Sequence, residues 1–174
     1  MVGVKMSERE DLRLLWYALK VRTRGEQRVQ RALTNREFET LLPIYIDVRR
    51  YSDRLKKVPV ALFPGYLFCR LDPDHPLSIV TTPGVESIVG RGGVPEPIPD
   101  EEIFAIQRVL QEGKNPIPWP YLKAGDRVRV QFGSLEGVEG TLIKTRGVDR
   151  LVLSIDLLKR SISFEIEREW VRPL

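Results

Sequence analysis

The side chains that most often carry out catalysis or bind metals are scarce in this chain. It holds one cysteine, Cys69, and one histidine, His75, among 174 residues. A structural zinc site needs four ligands, and a serine or cysteine nucleophile needs a histidine base, so His75 would have to serve alone from a Pro-flanked loop. The sequence therefore predicts no metal site, no cofactor and no nucleophilic catalysis.

Two other patterns could belong to an enzyme. Asp100, Glu101 and Glu102 could form an acid/base pair, but they follow a proline at the start of a predicted helix, where the helix dipole favours negative charge. The loop Gly90–Gly93 lacks the Lys-Ser/Thr pair that a phosphate-binding P-loop requires. An enzyme is therefore the weakest interpretation.

Basic residues, which could bind phosphate, are concentrated in two segments. The chain has a net charge of +4. Residues 20–31 hold five basic groups against one acidic group, and residues 49–57 repeat that imbalance. Such patches favour polyanions, although a charged segment can also be an ordinary solvated surface. For residues 49–57 the solvated surface is the favoured interpretation.

The first basic segment is predicted to enter an amphipathic helix from about Gly25 to Phe38. Apolar residues recur on one face of this helix, while Arg24, Arg28 and Arg31 are spaced at i, i+4 and i+7 on another. The helix can therefore bury one side and present cations on the other.

The rest of the composition is that of an ordinary globular protein. Hydrophobic residues make up 42% and charged residues 30%. Apolar stretches such as Val60–Phe63 fall far short of the ~20 residues that a membrane span needs. We expect a cytoplasmic monomer without a signal peptide or membrane anchor.

A proline-rich segment divides the chain into two parts. Three prolines between Pro116 and Pro120 exclude a helix or a central strand there. We expect an N-terminal extension at 1–13, a first domain at 14–112, a linker at 113–121 and a second domain at 122–174.

The first domain reads as an α+β fold, an antiparallel sheet flanked by helices. Its predicted strands are Leu14–Val21, Leu42–Tyr51, Val58–Leu71 with an interruption at Pro64-Gly65, and Val85–Val89. Helices are expected at the first basic segment, shortly after Asp74, and after Pro99.

The second domain reads as a small all-β barrel. Val128, Val130 and Phe132 alternate with polar residues, and Leu151–Ile155 and Ile162–Ile166 repeat this pattern. Glycines between these segments favour four or five short strands joined by tight turns.

Several segments resemble one known family. Trp16-Tyr17-Ala18-Leu19, Leu62-Phe63-Pro64-Gly65-Tyr66-Leu67-Phe68 and Thr82-Pro83-Gly84-Val85 resemble the N-terminal (NGN) domain of NusG-type transcription elongation factors. Ala124–Val130 with Gly133–Gly140 resembles the KOW motif of their SH3-like C-terminal barrel, whose glycines are Gly125, Gly137 and Gly140. The resemblance covers nearly the whole chain.

The resemblance implies a factor that binds the β′ clamp helices of RNA polymerase and also reaches the β subunit. It implies polymerase-binding residues Phe63, Pro64, Gly65, Tyr66, Phe68, Trp16 and Tyr17. It implies contacts of Arg22, Arg24, Arg28 and Arg31 with the non-template DNA strand; the alternative for these arginines is a solvated helix face. A weaker match gives His75 and Ser78 as contacts to the β subunit.

The barrel departs from the general NusG pattern. General factors carry an Ile-Phe-Gly-Arg type turn that contacts Rho or a ribosomal protein, and this chain has Leu157, Leu158, Lys159 and Arg160 in that place. The segment Ser154–Ile162 is similar to specialised antiterminators of the UpxY and LoaP type, and Leu62–Phe68 is similar to RfaH, which together predict a specialised role. The alternatives are a general NusG and a KOW-containing ribosomal or RNA-binding module, which would leave the Phe-Pro-Gly-Tyr half unexplained.

Overall fold

The computed structural model describes residues 14–122 and 125–174. The predicted extension at 1–13, together with Lys123 and Ala124 at the start of the KOW motif, lies outside the described residues. Contacts divide the chain into two compact units. The first contains the described residues up to Leu42 and Pro64–Asp100, and the second contains Pro43–Phe63 and Glu101–Leu174.

The first unit is built on a four-stranded antiparallel sheet. Its strands and helices are β1 (Leu15–Val21), α1 (Glu26–Thr34), β2 (Thr40–Leu41), β5 (Tyr66–Leu71), α2 (Leu77–Val80) and β6 (Val85–Ile88), with a small ribbon of β7 (Gly90–Arg91) and β8 (Val94–Pro95). The strand order is β2-β5-β1-β6. Alternate residues of β1 and β5 form a buried cluster with Val29 and Leu33 of α1 and Ile79 of α2. The predicted sheet with flanking helices is confirmed.

The second unit contains a hairpin, a helix and a larger sheet. Its elements are β3 (Ile44–Arg50), β4 (Leu55–Ala61), α3 (Asp100–Gln111, in this unit from Glu101), β9 (Ile117–Trp119), β10 (Asp126–Val130), β11 (Glu139–Thr145), β12 (Val148–Ile155), β13 (Arg160–Glu165) and β14 (Val171–Pro173). The order β14-β10-β11-β12-β13-β9 makes one six-stranded sheet. The predicted all-β C-terminal part is confirmed. Its outermost strand, β9, comes from the proline-rich segment, and an edge strand can tolerate Pro118 because its outer side forms no ladder hydrogen bonds.

Three local predictions need correction. The helix α1 begins at Glu26 and ends at Thr34, so Arg24 lies in the preceding turn with a left-handed backbone (φ 68°). The strand predicted from Val58 begins at Leu55 instead and ends at Ala61, while the predicted interruption at Pro64-Gly65 is present as the turn between β4 and β5. Phe132 is 54% exposed, because β10 ends at Val130 and the inward alternation ends with it.

Candidate functional site

An aromatic face on the first sheet brings together three of the residues that sequence predicts to bind a partner. In the antiparallel pair of β1 and β5, Trp16 lies opposite Arg70, and Lys20 lies opposite Tyr66. Opposite residues share a face, and Phe68 lies between Tyr66 and Arg70 on it by the period of two. This face therefore holds Trp16, Phe68 and Tyr66 with a cation at each end.

The members of the predicted partner-binding set differ widely in exposure. Trp16, Phe63 and Phe68 are at most 1% exposed. Pro64 is exposed and Tyr66 is half-buried. Pro64 and Tyr66 are therefore the members of the set whose side chains reach the surface, whereas Trp16 and Phe68 are buried in the first unit.

Tyr17 does not belong to this face. It neighbours Trp16 in a strand, so its side chain points the opposite way, into the buried cluster beneath α1. Burial raises the pKa of the Tyr17 phenol above its usual value, and the Asp72 and Asp74 carboxylates raise it further. The ring is a core residue with its hydroxyl in an acidic environment.

The turn that presents Pro64 and Tyr66 is held by two hydrogen bonds to Gly65. The Gly65 amide donates to Glu26 Oε1 at 2.8 Å, and the Val21 amide donates to the Gly65 carbonyl at 2.9 Å. Gly65 has φ 82°, a conformation that side chains of other residues rarely allow. Glu26 is buried, so its carboxylate positions this turn. The sequence pattern does not single out Glu26, because nothing local links it to a residue 39 positions away.

The two residues predicted to contact the polymerase β subunit flank the start of α2. His75 is exposed, and its Nδ1 lies 2.9 Å from Asp72 Oδ2. Ser78 is also exposed, while its carbonyl oxygen accepts a hydrogen bond from the Arg36 guanidinium at 2.8 Å. Both side chains lie on one exposed corner of the first unit.

The four arginines predicted to contact DNA are all exposed. Arg28 and Arg31 lie on α1, while Arg22 and Arg24 lie in the segment between β1 and α1. The buried side of α1 is formed by Glu26, Val29 and Leu33. The cations therefore line the outer side of one helix and the turn that leads into it.

The predicted partner-binding turn of the second unit joins β12 to β13. Leu157 and Leu158 are half-buried there, and Lys159 and Arg160 are exposed. Tyr121 supports this turn from outside the motif, a role that the sequence pattern does not indicate. Its hydroxyl donates to Asp156 Oδ1 at 2.9 Å, and Lys159 Nζ donates to the Tyr121 hydroxyl at 3.3 Å and lies 4.9 Å from the ring centroid.

The three glycines of the KOW motif occupy their positions for different structural reasons. Gly137 has φ 86° with open space around it, which marks it as a turn residue. A Cβ on Gly140 would lie 2.7 Å from the Val152 carbonyl oxygen and 3.0 Å from Leu151 side-chain atoms. A Cβ on Gly125 would lie 2.5 Å from Thr141 Cγ2. Two of the three glycines are thus required where strands of the sheet come close.

Replacement of Gly140 by alanine is expected to destabilise the second unit by about 1–3 kcal/mol, the usual cost of overpacking. The clash is with a backbone carbonyl oxygen, which cannot move away as a flexible side chain can. Urea unfolding of the full chain, followed through NMR signals of β11 and β12, measures the loss. Gly137→Asn is the control, because asparagine tolerates positive φ and this site is open. Equal stability of Gly140→Ala and the parent chain would contradict the close approach.

The described residues offer no candidate metal site. They contain no group of three or more His, Cys, Asp or Glu side chains placed to hold a metal ion. Burial raises the pKa of the Cys69 thiol to about 12, with a smaller contribution from the Glu39 charge. A thiol with that pKa stays protonated near neutral pH and is a poor nucleophile. Within residues 14–122 and 125–174, no helix has the length and apolar character needed to cross a membrane.

Comparisons with known proteins agree on one family. The family model described as "Transcription termination factor nusG" matches residues 14–107. The chain is 27% identical over 174 residues to the transcription termination/antitermination protein NusG of Helicobacter pylori (strain ATCC 700392 / 26695), covering 91% of this chain and 98% of that protein. It is 29% identical over 163 residues to the protein of the same name from Thermus thermophilus, covering 80% of this chain and 89% of that protein.

A solved structure supports the fold. The chain from "Domain interaction in Thermotoga maritima NusG" matches with a TM-score of 0.53 and 20% identity, over 94% of this chain and 98% of that one. The family model covers more than half of this chain, and its matched segment contains the aromatic face and the Pro64-Gly65 turn. The chain therefore belongs to the NusG family of transcription factors.

Proposed function

We propose that this NusG-type factor binds bacterial RNA polymerase through Pro64 and Tyr66 and acts as a specialised antiterminator of particular operons. The observation that carries the proposal is the Pro64-Gly65 turn, which two hydrogen bonds hold at the end of an aromatic face. Aromatic anchors on a rigid support give large apolar contact area at low entropy cost. The β′ clamp helices are the proposed partner of this surface.

Three further contacts complete the proposal. The four exposed arginines before and on α1 suit the phosphates of the non-template strand in the transcription bubble, which they would hold without reading sequence. His75 and Ser78 are the proposed contacts to the β subunit. The exposed Lys159 and Arg160 are the proposed contacts of the barrel with a ribosomal protein or Rho. The proposed working parts are residues 14–112 and 122–174, joined by 113–121, in a monomer that acts in the cytoplasm without a cofactor or enzymatic activity.

The specialised role is supported by the turn between β12 and β13. It lacks the phenylalanine and glycine of the general type and has Leu157-Leu158-Lys159-Arg160 instead. The alternative is a general factor, favoured by the names of the curated relatives, which are termination/antitermination proteins. A KOW-containing ribosomal or RNA-binding module is a poorer alternative, because the family match lies in the first 107 residues.

A purified transcription reaction tests the proposal. We expect read-through to rise on a template from the leader of the gene's own neighbourhood and to stay unchanged on an unrelated template. Tyr66→Ala is expected to abolish this effect and to weaken polymerase binding by about 30-fold, the loss typical of an interface anchor. Co-sedimentation with core polymerase measures the binding.

Tyr45→Ala is the matched control, because Tyr45 is also a half-buried tyrosine on a strand, in β3. Equal read-through on both templates would replace the specialised role by a general one. Normal polymerase binding by Tyr66→Ala would remove the assigned contact, and no effect of the parent protein on either template would remove antitermination altogether.

A further inference from the structure

Helix α3 contacts two turns of the sheet in the second unit. Near its end, the Arg108 guanidinium donates to the Glu136 carbonyl at 2.6 Å and also to the Ser134 carbonyl, both between β10 and β11. In its first turn, the Glu102 carboxylate accepts a hydrogen bond from the Asp156 amide, directly after β12. One end of α3 is therefore attached next to the turn that holds Leu157–Arg160.

The attachment at Glu102 places one carboxylate beside another. Glu102 Oε2 is buried, and no side chain or backbone group in residues 14–122 or 125–174 hydrogen-bonds to it. Burial is the main cause that raises the pKa of Glu102, to about 7, and the Asp156 charge is the next. An ionised Glu102 thus has a poorly solvated oxygen close to a second negative charge.

The neighbouring cations do little to relieve this repulsion. Lys159 favours the ionised form of Glu102 only weakly, and its ammonium hydrogen-bonds to the Tyr121 hydroxyl. Arg108 binds the two carbonyls of the other turn.

Other charged groups line the same cleft between α3 and the sheet. Arg127 lies 3.7 Å from Glu139, whose carboxylate also accepts a hydrogen bond from Arg129 at 2.9 Å, so two guanidinium groups share one carboxylate. Glu101, the preceding residue of α3, adds to the negative charge around Glu102. The Asp156 amide and Lys159 favour the ionised form of Glu102, but burial and the Asp156 charge outweigh them, so the net effect raises the pKa of Glu102.

We propose that Glu102 and Asp156 form a proton-controlled latch between the first turn of α3 and the β12–β13 turn. A protonated Glu102 removes the repulsion and can donate its proton toward the Asp156 carboxylate, which closes the latch. An ionised Glu102 repels Asp156, which loosens the latch and frees the Asp156 amide. The latch does not depend on which partner, if any, binds the turn.

The sign of the pH dependence follows from the raised pKa. The pKa of Glu102 is about 7 in contact with the turn and 4.5 for a solvated glutamate, so closing the latch takes up a proton between these values. Below pH 4.5 Glu102 is protonated in both the closed and the open latch, so the stabilisation of the closed latch is fully present. This stabilisation is lost as the pH rises through about 7. The latch therefore responds around neutral pH.

Solvent exchange of the Asp156 amide in the full-length chain tests the latch. We expect its protection, corrected for the intrinsic exchange rate, to fall about tenfold or more between roughly pH 5.5 and pH 8 in the parent chain. Glu102→Gln, which has the same shape and carries no charge, is expected to keep the protection at both pH values. Glu101→Gln is the matched control, because it removes the same charge from the adjacent, exposed residue; it should keep the fall in protection and shift its midpoint only slightly to lower pH, since Glu101 is a minor cause of the raised pKa of Glu102.

A second measurement needs only the parent chain. The Asp156 amide chemical shift should titrate with a midpoint near pH 7, the pKa of Glu102, while amides at the centre of β12 should not. Protection that stays constant with pH in the parent chain would overturn the proposal. So would a Glu102→Gln chain whose protection falls in parallel with the parent.

Discussion

Phe68→Ala is expected to lower the free energy of unfolding of the first unit by about 3–5 kcal/mol, the usual cost of emptying a buried phenylalanine site. Phe68 has no exposed area and lies at the centre of the sheet, paired with Ala18 of β1 and Leu41 of β2. Three strands meet at this residue, so they can collapse little into the cavity that the mutation leaves. Urea unfolding followed through NMR signals of β1 and β5 measures the loss.

Leu77→Ala is the matched control for this prediction. Leu77 is a large apolar residue of the same unit but is 71% exposed on α2, so its truncation should change stability by no more than about 0.5 kcal/mol. A loss below about 1 kcal/mol for Phe68→Ala would mean that the ring is exposed in solution. In that case Phe68 would return to the set of residues that touch the polymerase directly.

The burial of Phe68 changes how the proposed polymerase-binding surface should be tested. From sequence, Tyr66 and Phe68 look equivalent, because they lie two residues apart in one motif and share a face of β5. A double alanine variant would mix a binding defect with a folding defect of several kcal/mol. Tyr66→Ala separates the two, since its ring is half-buried at the end of the strand.

Local sequence patterns were sufficient to predict most helices and strands and the general nature of the candidate site. A run of large apolar residues identified β1, period-two alternation identified β10, β12 and β13, and helical spacing identified α1 and α3. The same alternation would also have separated Trp16 from Tyr17, because adjacent strand residues point to opposite faces. The resemblance grouped them together, and the sheet register shows that only Trp16 shares a face with Tyr66.

Contacts between distant parts of the chain could not be found this way. Glu26 holds Gly65, Glu102 contacts Asp156, and Tyr121 supports the same Asp156. The members of each pair are far apart in sequence, and the pairing depends on how the elements fold together. Glu102 looks like a favourable helix-start residue by local rules. Burial in the folded unit and the neighbouring Asp156 make its charge unfavourable.

The simultaneous replacement of Arg22, Arg24, Arg28 and Arg31 by glutamine is expected to abolish most of the salt-sensitive DNA binding of this chain. Each phosphate contact contributes about 0.7 to the slope of log affinity against log salt for single strands, so four contacts contribute about 2.8. Fluorescence anisotropy with a short single-stranded DNA oligonucleotide at increasing KCl concentrations measures this slope. Glutamine keeps most of the side-chain length, and all four residues are exposed, so the fold should be retained.

The basic tip of the hairpin of β3 and β4 provides the control with equal charge. Replacing Arg49, Arg50, Arg54 and Lys56 by glutamine removes the same four charges from a surface that is also exposed. If binding depended only on net charge, both variants would lose the same slope, because counterion release counts cations and not their positions. We expect the hairpin variant to keep nearly the full slope and the α1 variant to lose it. Equal losses would mean that the four arginines before and on α1 are an ordinary solvated surface. A larger loss in the hairpin variant would mean that the DNA contact lies on the hairpin instead.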